Sequence, residues 1–374
     1  MEPRSRDLCV DRSIPFGDDE AILQHFHEHG FVVVADVFSD EEIHRALDEL
    51  WTSPRLLARN GSIQQGKPES WTKENGWPQQ DGGKNFLESL DPFQDLSCWE
   101  LALHDRVEQI LSLLWRAEGD GFDDGSDEKV VFLGRTPRWG VMRPSGTRPE
   151  WRTLEQWLHW DQNPWSQPGF GWIQAFACIT PQTSQSGGLL CVPGFQKHWS
   201  RWGEEHPEGT VKVDGKEITR AFGAGNPFPV PPGDAAHEGT VRILAPKGSV
   251  VLWDSRLPHQ NFPNSSDHEW RVILYMSFWP FEKETYQERQ SFLAQRLRVM
   301  EALGHASSGA LPRWAVSAAE AAAELSAEAV EAIRLTHAAG EAEMKGELEK
   351  STEMMRRAMK MWPQVEAWYE AIFI

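Results

Sequence analysis

Basic side chains are scarce in this 374-residue chain: Lys and Arg number 37 against 56 Asp and Glu, a formal charge of −19. A surface this acidic repels phosphate backbones and anionic headgroups, so neither nucleic acid nor a membrane is an expected partner. Cysteine is scarce too. Cys9, Cys98, Cys178 and Cys191 are scattered with no CxxC pair, which excludes a disulfide scaffold and points to buried free thiols in a reducing cytosol. No apolar run approaches the ~18 residues of a membrane span. The opening MEPRSRDLCV lacks the hydrophobic segment of a secretory signal, so a cytoplasmic location is expected.

What remains is ordinary globular composition, 40% hydrophobic and 25% charged, with an unusual 19 Trp. Trp brings large contact area and one polar handle, and a Trp-rich core is the plainer reading than an aromatic-lined pocket. At about 150 residues per domain the length suits two domains, or one large β domain with decorations.

From Ser13 to Trp51 the pattern is helix, strand, helix. Asp18-Asp19-Glu20 caps a helix over Ala21 to His29 that Gly30 ends. Phe31 to Val37 is a β-branched strand. Ser39 and Glu42 form a capping box that opens a helix to about Trp51. Residues 52–95 are polar and read as loops. Cys98 to Trp115 has helical spacing, and the acidic stretch Glu118 to Glu128 reads as a solvated loop rather than a calcium site. From Lys129 short strands are expected at Val130–Leu133, Trp139–Met142, Trp157–Asn163, Trp172–Ile179, Gly188–Val192, Ser249–Trp253 and Trp270–Phe278. Gly/Pro turns between them suggest a sandwich or jelly roll. Residues 203–247 read as an insertion carrying a hairpin, Val211 to Ile218, around Asp214-Gly215, with a Gly/Pro-rich piece from Gly223 to Gly233. After about Glu282 the character turns helical, with helices expected over Ser317–Ala339 and Glu341–Met361. There are no internal repeats, and nothing specifies an oligomeric state. The expected division is a main domain over 1–300, with its core at 129–281, and a helical C-terminal extension over 301–374.

The residues that carry chemistry begin with His159-Trp160-Asp161. In a strand, positions i and i+2 share a face, so an imidazole and a carboxylate would project together, with Trp157 and Asn163 on the same side. An HxD pair alone is weak and more often an ordinary hydrogen bond. A third corner is offered by His259, after the strand Ser249–Trp253. Twelve residues later Arg271 opens a strand whose alternation puts Arg271, Ile273, Tyr275 and Ser277 on one face. An Arg in an apolar strand is costly unless an anion pairs with it, and a carboxylate gripped by its fork is a natural partner. Two His and one carboxylate make the facial triad of non-haem Fe(II) oxygenases. A zinc hydrolase could use the same three ligands, but would not explain Arg271. Gln174, flanked by apolar residues, reads either as a contact to co-substrate or substrate or as a backbone partner. Arg256 reads as a partner of Asp254 ahead of a holder of a substrate anion, and Lys197 and His198 as plain surface.

Taken in order, these residues resemble the phytanoyl-CoA dioxygenase-like family of Fe(II)/2-oxoglutarate-dependent oxygenases. The match runs through the strand Gly30 to Val34, His159-Trp160-Asp161, the turn Gly187-Gly188-Leu189-Leu190-Cys191-Val192-Pro193-Gly194, Gly248 to Trp253, His259 and Arg271, about residues 20–280. The resemblance implies a double-stranded β-helix, a mainly β, jelly-roll, cupin-like core with flanking helices. It implies Fe(II) held by His159, Asp161 and His259, 2-oxoglutarate bound by Arg271 with Gln174 nearby, O2 as oxidant and stimulation by ascorbate. The implied activity is hydroxylation of a small organic metabolite with release of succinate and CO2. The alternative is a non-catalytic cupin-like scaffold that kept its metal site. Two departures stand out. The family's Pro-Gly-Ser-His turn is Pro193-Gly194-Phe195-Gln196-Lys197-His198 here, and the tail beyond 300 has no family counterpart. Asp161 stands where related halogenases carry a small residue, which argues against halogenation.

Overall fold

Two helices near the N-terminus start where the sequence supplies caps. Helix α1, Asp19–His29, opens with the Asp18 carboxylate accepting the Ala21 N–H at 3.3 Å. It closes at Gly30 in a left-handed conformation, φ 73°. Only Gly suits that position: an added Cβ would meet the Gln196 amide oxygen at 2.5 Å and Leu257 at 2.9 Å. Helix α2, Asp40–Thr52, opens with the expected reciprocal box. The Ser39 N–H donates to Glu42 Oε2 at 2.8 Å, and the Glu42 N–H donates to Ser39 Oγ at 3.3 Å.

The structure is a computed structural model. It describes residues 9–52, 62–75, 77, 87–88, 96–102, 104–118, 132–134, 137–155, 157–165, 168–206, 209–213, 216–220, 228–280, 326, 328, 331–332, 335, 338–339 and 348–362. The strands are β1 Cys9–Val10, β2 Ile14–Pro15, β3 Phe31–Ala35, β4 Leu87–Glu88, β5 Phe132–Gly134, β6 Arg138–Met142, β7 His159–Trp160, β8 Ile173–Cys178, β9 Gly188–Cys191, β10 Gly209–Val213, β11 Lys216–Arg220, β12 Phe228–Pro229, β13 Val241–Ile243, β14 Val250–Asp254, β15 His259–Phe262 and β16 Arg271–Pro280. The remaining helices are α3 Leu96–Ala102, α4 Asp105–Glu118, α5 Trp199–Glu205 and α6 Leu348–Met361.

One sheet has the order β2-β3-β14-β8-β16-β6-β4, with β5 on the end of β16. The other has the order β1-β13-β9-β15-β7-β12. Together they form the double-stranded β-helix. Strict alternation gives the larger sheet two apolar faces. Val32, Val34, Ala175, Ala177, Val250, Leu252, Val272, Leu274 and Met276 pack on one side with Ile22 and Phe26 of α1, Ile43 and Leu50 of α2, and Ile110 and Leu114 of α4. Phe31, Val33, Phe176, Cys178, Val251, Trp253 and Ile273 face the other way, into a second cluster with Leu189, Cys191 and Ile243 of the smaller sheet. The Trp-rich core expected from composition is present: Trp139, Trp160 and Trp199 are fully buried. Among the described residues no helix is long and apolar enough to cross a membrane. Three of the four free thiols are buried as expected, but Cys9 is exposed.

Several sequence expectations need correction. The helix read over Cys98 to Trp115 is two, α3 and α4, broken near His104, whose Nδ1 accepts the Arg106 N–H at 3.1 Å. The strand read over Trp157–Asn163 is only His159–Trp160. The segment holding His259 is a strand, although its polar sequence gave no strand signal. The stretch 203–247 is not wholly an insertion. It holds the expected hairpin, β10 with β11, but β12 pairs with β7 and β13 with β9, so both belong to the smaller sheet. The Asp214-Gly215 turn, the acidic residues 119–128 and most of the expected helix 317–339 lie outside the described residues. The chain divides into two compact units, Met1–Pro92 with Ser97–Pro280, and Phe93–Leu96 with Phe281–Ile374.

His25 on α1 is 5% exposed, and its Nε2 has no hydrogen-bond partner. Burial, then the neighbouring His29 and Arg12 charges, lowers its pKa from 6.5 to about 4. The unfolded chain takes up this proton as pH falls below 6.5, and the folded chain does not. The contribution is therefore complete above pH 6.5 and is lost toward pH 4, amounting to about 3 kcal/mol. Urea unfolding between pH 7 and pH 4.5 should show this fall, and His25→Phe should flatten it. An equally steep profile in the variant would refute the assignment.

Candidate metal centre

The two candidate imidazoles meet because their strands are neighbours. His159 of β7 and His259 of β15 are directly opposite in antiparallel register. Their ring centroids lie 4.5 Å apart. Each ring is anchored by the carbonyl two residues before it: His159 Nδ1 lies 3.0 Å from the Trp157 oxygen, and His259 Nδ1 lies 3.0 Å from the Leu257 oxygen. A carbonyl only accepts, so Nδ1 carries the hydrogen and donates, and Nε2 keeps a lone pair for a metal. Trp157 stacks on the His159 ring at 4.7 Å and 14°, and Trp253 leans on His259 at 5.2 Å.

Asp161 completes the group, but not by strand alternation. β7 ends at Trp160, and Asp161 sits in the bend that follows. From there its oxygens lie 3.7 Å from His159 Nε2 and 3.6 Å from His259 Nε2. One ligand atom from each of the three residues lies within 4.8 Å of the others, and among the described residues they are the group that could hold a metal ion. Both imidazoles are buried, while the Asp161 side chain is 27% exposed, so the carboxylate faces the opening. Burial pushes its carboxyl up. The two imidazoles when protonated, His259 first, and the Gln174 amide outweigh burial and hold it far below the usual carboxylate range.

Arg271 lies on the inward face of β16 and is fully buried. Its Nε donates to Gln182 Oε1, and its Nη1 donates to Asn261 Oδ1 at 2.8 Å. Met142 Sδ and the Phe176 ring also line it. Its Nη2 has no partner. Burial lowers its pKa. Among the described residues the groups that offset this are Tyr275 and Cys178, not a carboxylate. Asn261 reaches both ways, donating to the Tyr275 hydroxyl at 2.5 Å.

The other candidates separate cleanly. The Gln174 amide donates to Asp161 Oδ2 at 2.6 Å and accepts from the Trp253 indole at 3.0 Å, a bridging position that spacing alone did not foresee. Arg256 pairs with buried Asp254 through two parallel contacts of 2.9 and 2.6 Å, the structural alternative. Lys197 and His198 are exposed. Asn163 turns away to cap the Trp165 N–H. Asn261, missed in the sequence, could have been found by extending strand alternation from His259. On β16 the usual exposure pattern is inverted. Inward Tyr275 and Ser277 are partly accessible, while outward Leu274, Met276 and Phe278 are buried, so open space lies inside the mouth of the barrel.

A double-stranded β-helix with two His and one carboxylate converging in its mouth defines a non-haem iron oxygenase. The chain belongs to the phytanoyl-CoA dioxygenase (PhyH) family, whose model matches residues 26–273. It is a 2-oxoglutarate-dependent non-haem iron dioxygenase of that family. It is similar to "Dioxygenase af480" of Aspergillus fumigatus, 24% identical over 319 residues, covering 80% of this chain and 81% of the other. Among solved structures it is similar to the epimerase SnoN in complex with Fe3+, alpha ketoglutarate and nogalamycin RO, at 14% identity and TM-score 0.45, covering 70% of this chain and 83% of that one. It is also similar to EctD from S. alaskensis with 2-oxoglutarate and 5-hydroxyectoine, at 16% identity and TM-score 0.43, covering 69% and 74%. The assignment rests on the family match, not on these likenesses.

Fe(II) at a hundredfold its Kd should stabilise the protein by about 2.7 kcal/mol, since only the folded chain brings the three candidate ligands together. Anaerobic thermal melting should show this shift in wild type and lose it in His259→Ala. An undiminished shift in the variant would place the ion elsewhere.

Proposed function

We propose that His159, Asp161 and His259 hold Fe(II), that Arg271 binds the distal carboxylate of 2-oxoglutarate, and that the enzyme hydroxylates a small organic metabolite. The observation that carries this reading is the buried guanidinium with an unpartnered Nη2. A fully desolvated cation with a free donor and no carboxylate partner among the described residues is a receptor for an anion. Its place fits a short dicarboxylate. His259 and Asn261 share the inward face of β15 two residues apart, a rise of about 7 Å. Asn261 accepts from Arg271, so the cation stands one inward position beyond the metal ligands. Charge also fits: a divalent ion, the Asp161 carboxylate, a dicarboxylate and the guanidinium cancel.

When bound, the iron with 2-oxoglutarate and O2 supplies an oxidant able to hydroxylate a C–H bond, with succinate and CO2 released. The chain's own residues prepare that chemistry. The backbone carbonyls of Trp157 and Leu257 fix both imidazole tautomers. Asp161 stays ionised. Arg271 and Asn261 set how far along the barrel the co-substrate lies. Trp157 and Trp253 wall the centre and exclude water. The partly accessible inward side of β16 is where a substrate would enter. The reducing cytosol is the proposed location, in keeping with four cysteines that form no disulfide.

Anaerobic Fe(II) with 2-oxoglutarate should give a weak visible charge-transfer band. Arg271→Ala should weaken 2-oxoglutarate binding by about 3 kcal/mol, roughly a hundredfold, with Fe(II) affinity nearly unchanged. Arg271→Lys, which keeps the charge but loses the planar fork, should fall between. Equal loss of both ligands in Arg271→Ala would remove the assigned role.

A further inference from the structure

Gln174 and Trp253 are direct cross-strand partners on β8 and β14, both inward and nearly fully buried. An indole N–H only donates. At 3.0 Å from Gln174 Oε1 it therefore fixes which way round the amide sits: oxygen toward Trp253, nitrogen toward Asp161. The amide nitrogen then donates to Asp161 Oδ2 at 2.6 Å. A reversed amide would set oxygen against carboxylate and leave the indole without an acceptor, so the two bonds enforce each other. The same indole leans on the His259 ring at 5.2 Å, and Phe176 supports it edge-on at 5.7 Å. One side chain thus steadies two of the three proposed ligands.

Asp161 needs such support more than the imidazoles do. His159 and His259 sit on paired strands, whereas Asp161 follows the end of β7 with its side chain 27% exposed. Backbone pairing fixes the rings, but a carboxylate in a bend can rotate out toward solvent. We propose that Gln174 is a positioning residue for the metal centre, oriented by Trp253, and that it holds the Asp161 carboxylate turned toward the two imidazoles. This rests on the triad reading above. Partners that orient a ligand typically contribute ten- to hundredfold in metal affinity.

The test uses the metal-free full chain titrated with Mn(II), with Co(II) substitution to report ligand geometry by absorption. Gln174→Met keeps the volume and removes the donor. It should weaken Mn(II) binding about tenfold and shift the Co(II) bands, while the metal-free protein still unfolds in one cooperative transition at a somewhat lower midpoint, the Trp253 N–H having lost its acceptor. Trp253→Phe keeps a ring against His259 and removes the N–H. It should move affinity and spectrum in the same direction, and it carries the test alone if Gln174→Met does not fold. If the indole acts through the amide, the double variant should bind no more weakly than Gln174→Met. Wild-type affinity and spectrum in either well-folded variant would overturn the proposal, as would losses that multiply in the double variant. Failure of wild type itself to bind Mn(II), or binding that survives His259→Ala, would instead overturn the triad reading.

Discussion

The register between β7 and β15 is the constraint on which the centre depends. A single cross-strand pair, His159 opposite His259, sets two imidazoles 4.5 Å apart with their Nε2 atoms toward the Asp161 carboxylate. A slip of β7 by one residue would send His159 to the other face, among the aromatic packing around Trp160. That packing resists the slip. Trp160 is fully buried against Phe195, Trp199, Trp202 and Phe228, and β12 closes the edge of β7. The aromatic cluster around Trp160 is thus structural, and it locks the strand that presents the first candidate ligand.

The large sheet was legible because its physics is local. The alternation of Val272, Leu274 and Met276 against Arg271, Ile273 and Tyr275 follows from a period of two, and the structure keeps both faces as read. The capping box at Ser39 and the stop at Gly30 were legible for the same reason: each is a bond between near neighbours. Of the small sheet, β9 and the centre of the expected β7 were legible, and the rest was not. β15 reads His-Gln-Asn-Phe, with no β-branched residue, and becomes a strand only because β9 and β7 flank it. β12 and β13 were taken for insertion because two- and three-residue strands carry no periodicity of their own.

The site shows the same division. The identity of the three candidate ligands was legible from residue type and order, but the reason they converge was not. Asp161 comes from a bend rather than from strand alternation, and the third candidate arrives on an unforeseen strand. The isolated Arg271 was readable because its cost in an apolar strand is a single-residue argument. The roles of Gln174 and Asn261 are not, since each depends on what lies across a sheet.

The departure of the 193–198 turn from its family pattern finds its reason at the end of α1. The Gly194 N–H donates to the His29 carbonyl at 2.8 Å, Gln196 reaches the His27 carbonyl, and Gly30 nests against both Gln196 and Leu257. Leu257 is also the residue whose carbonyl steadies the His259 ring. The inverted exposure of β16 has a different consequence. Tyr275 and Ser277 face the open interior, while the side chains that hold the sheet to its helices point the other way. One strand thus serves two ends: its outward half is committed to architecture, and beyond Arg271 and Ile273 a change at inward Tyr275 or Ser277 would reshape the interior without disturbing the helices.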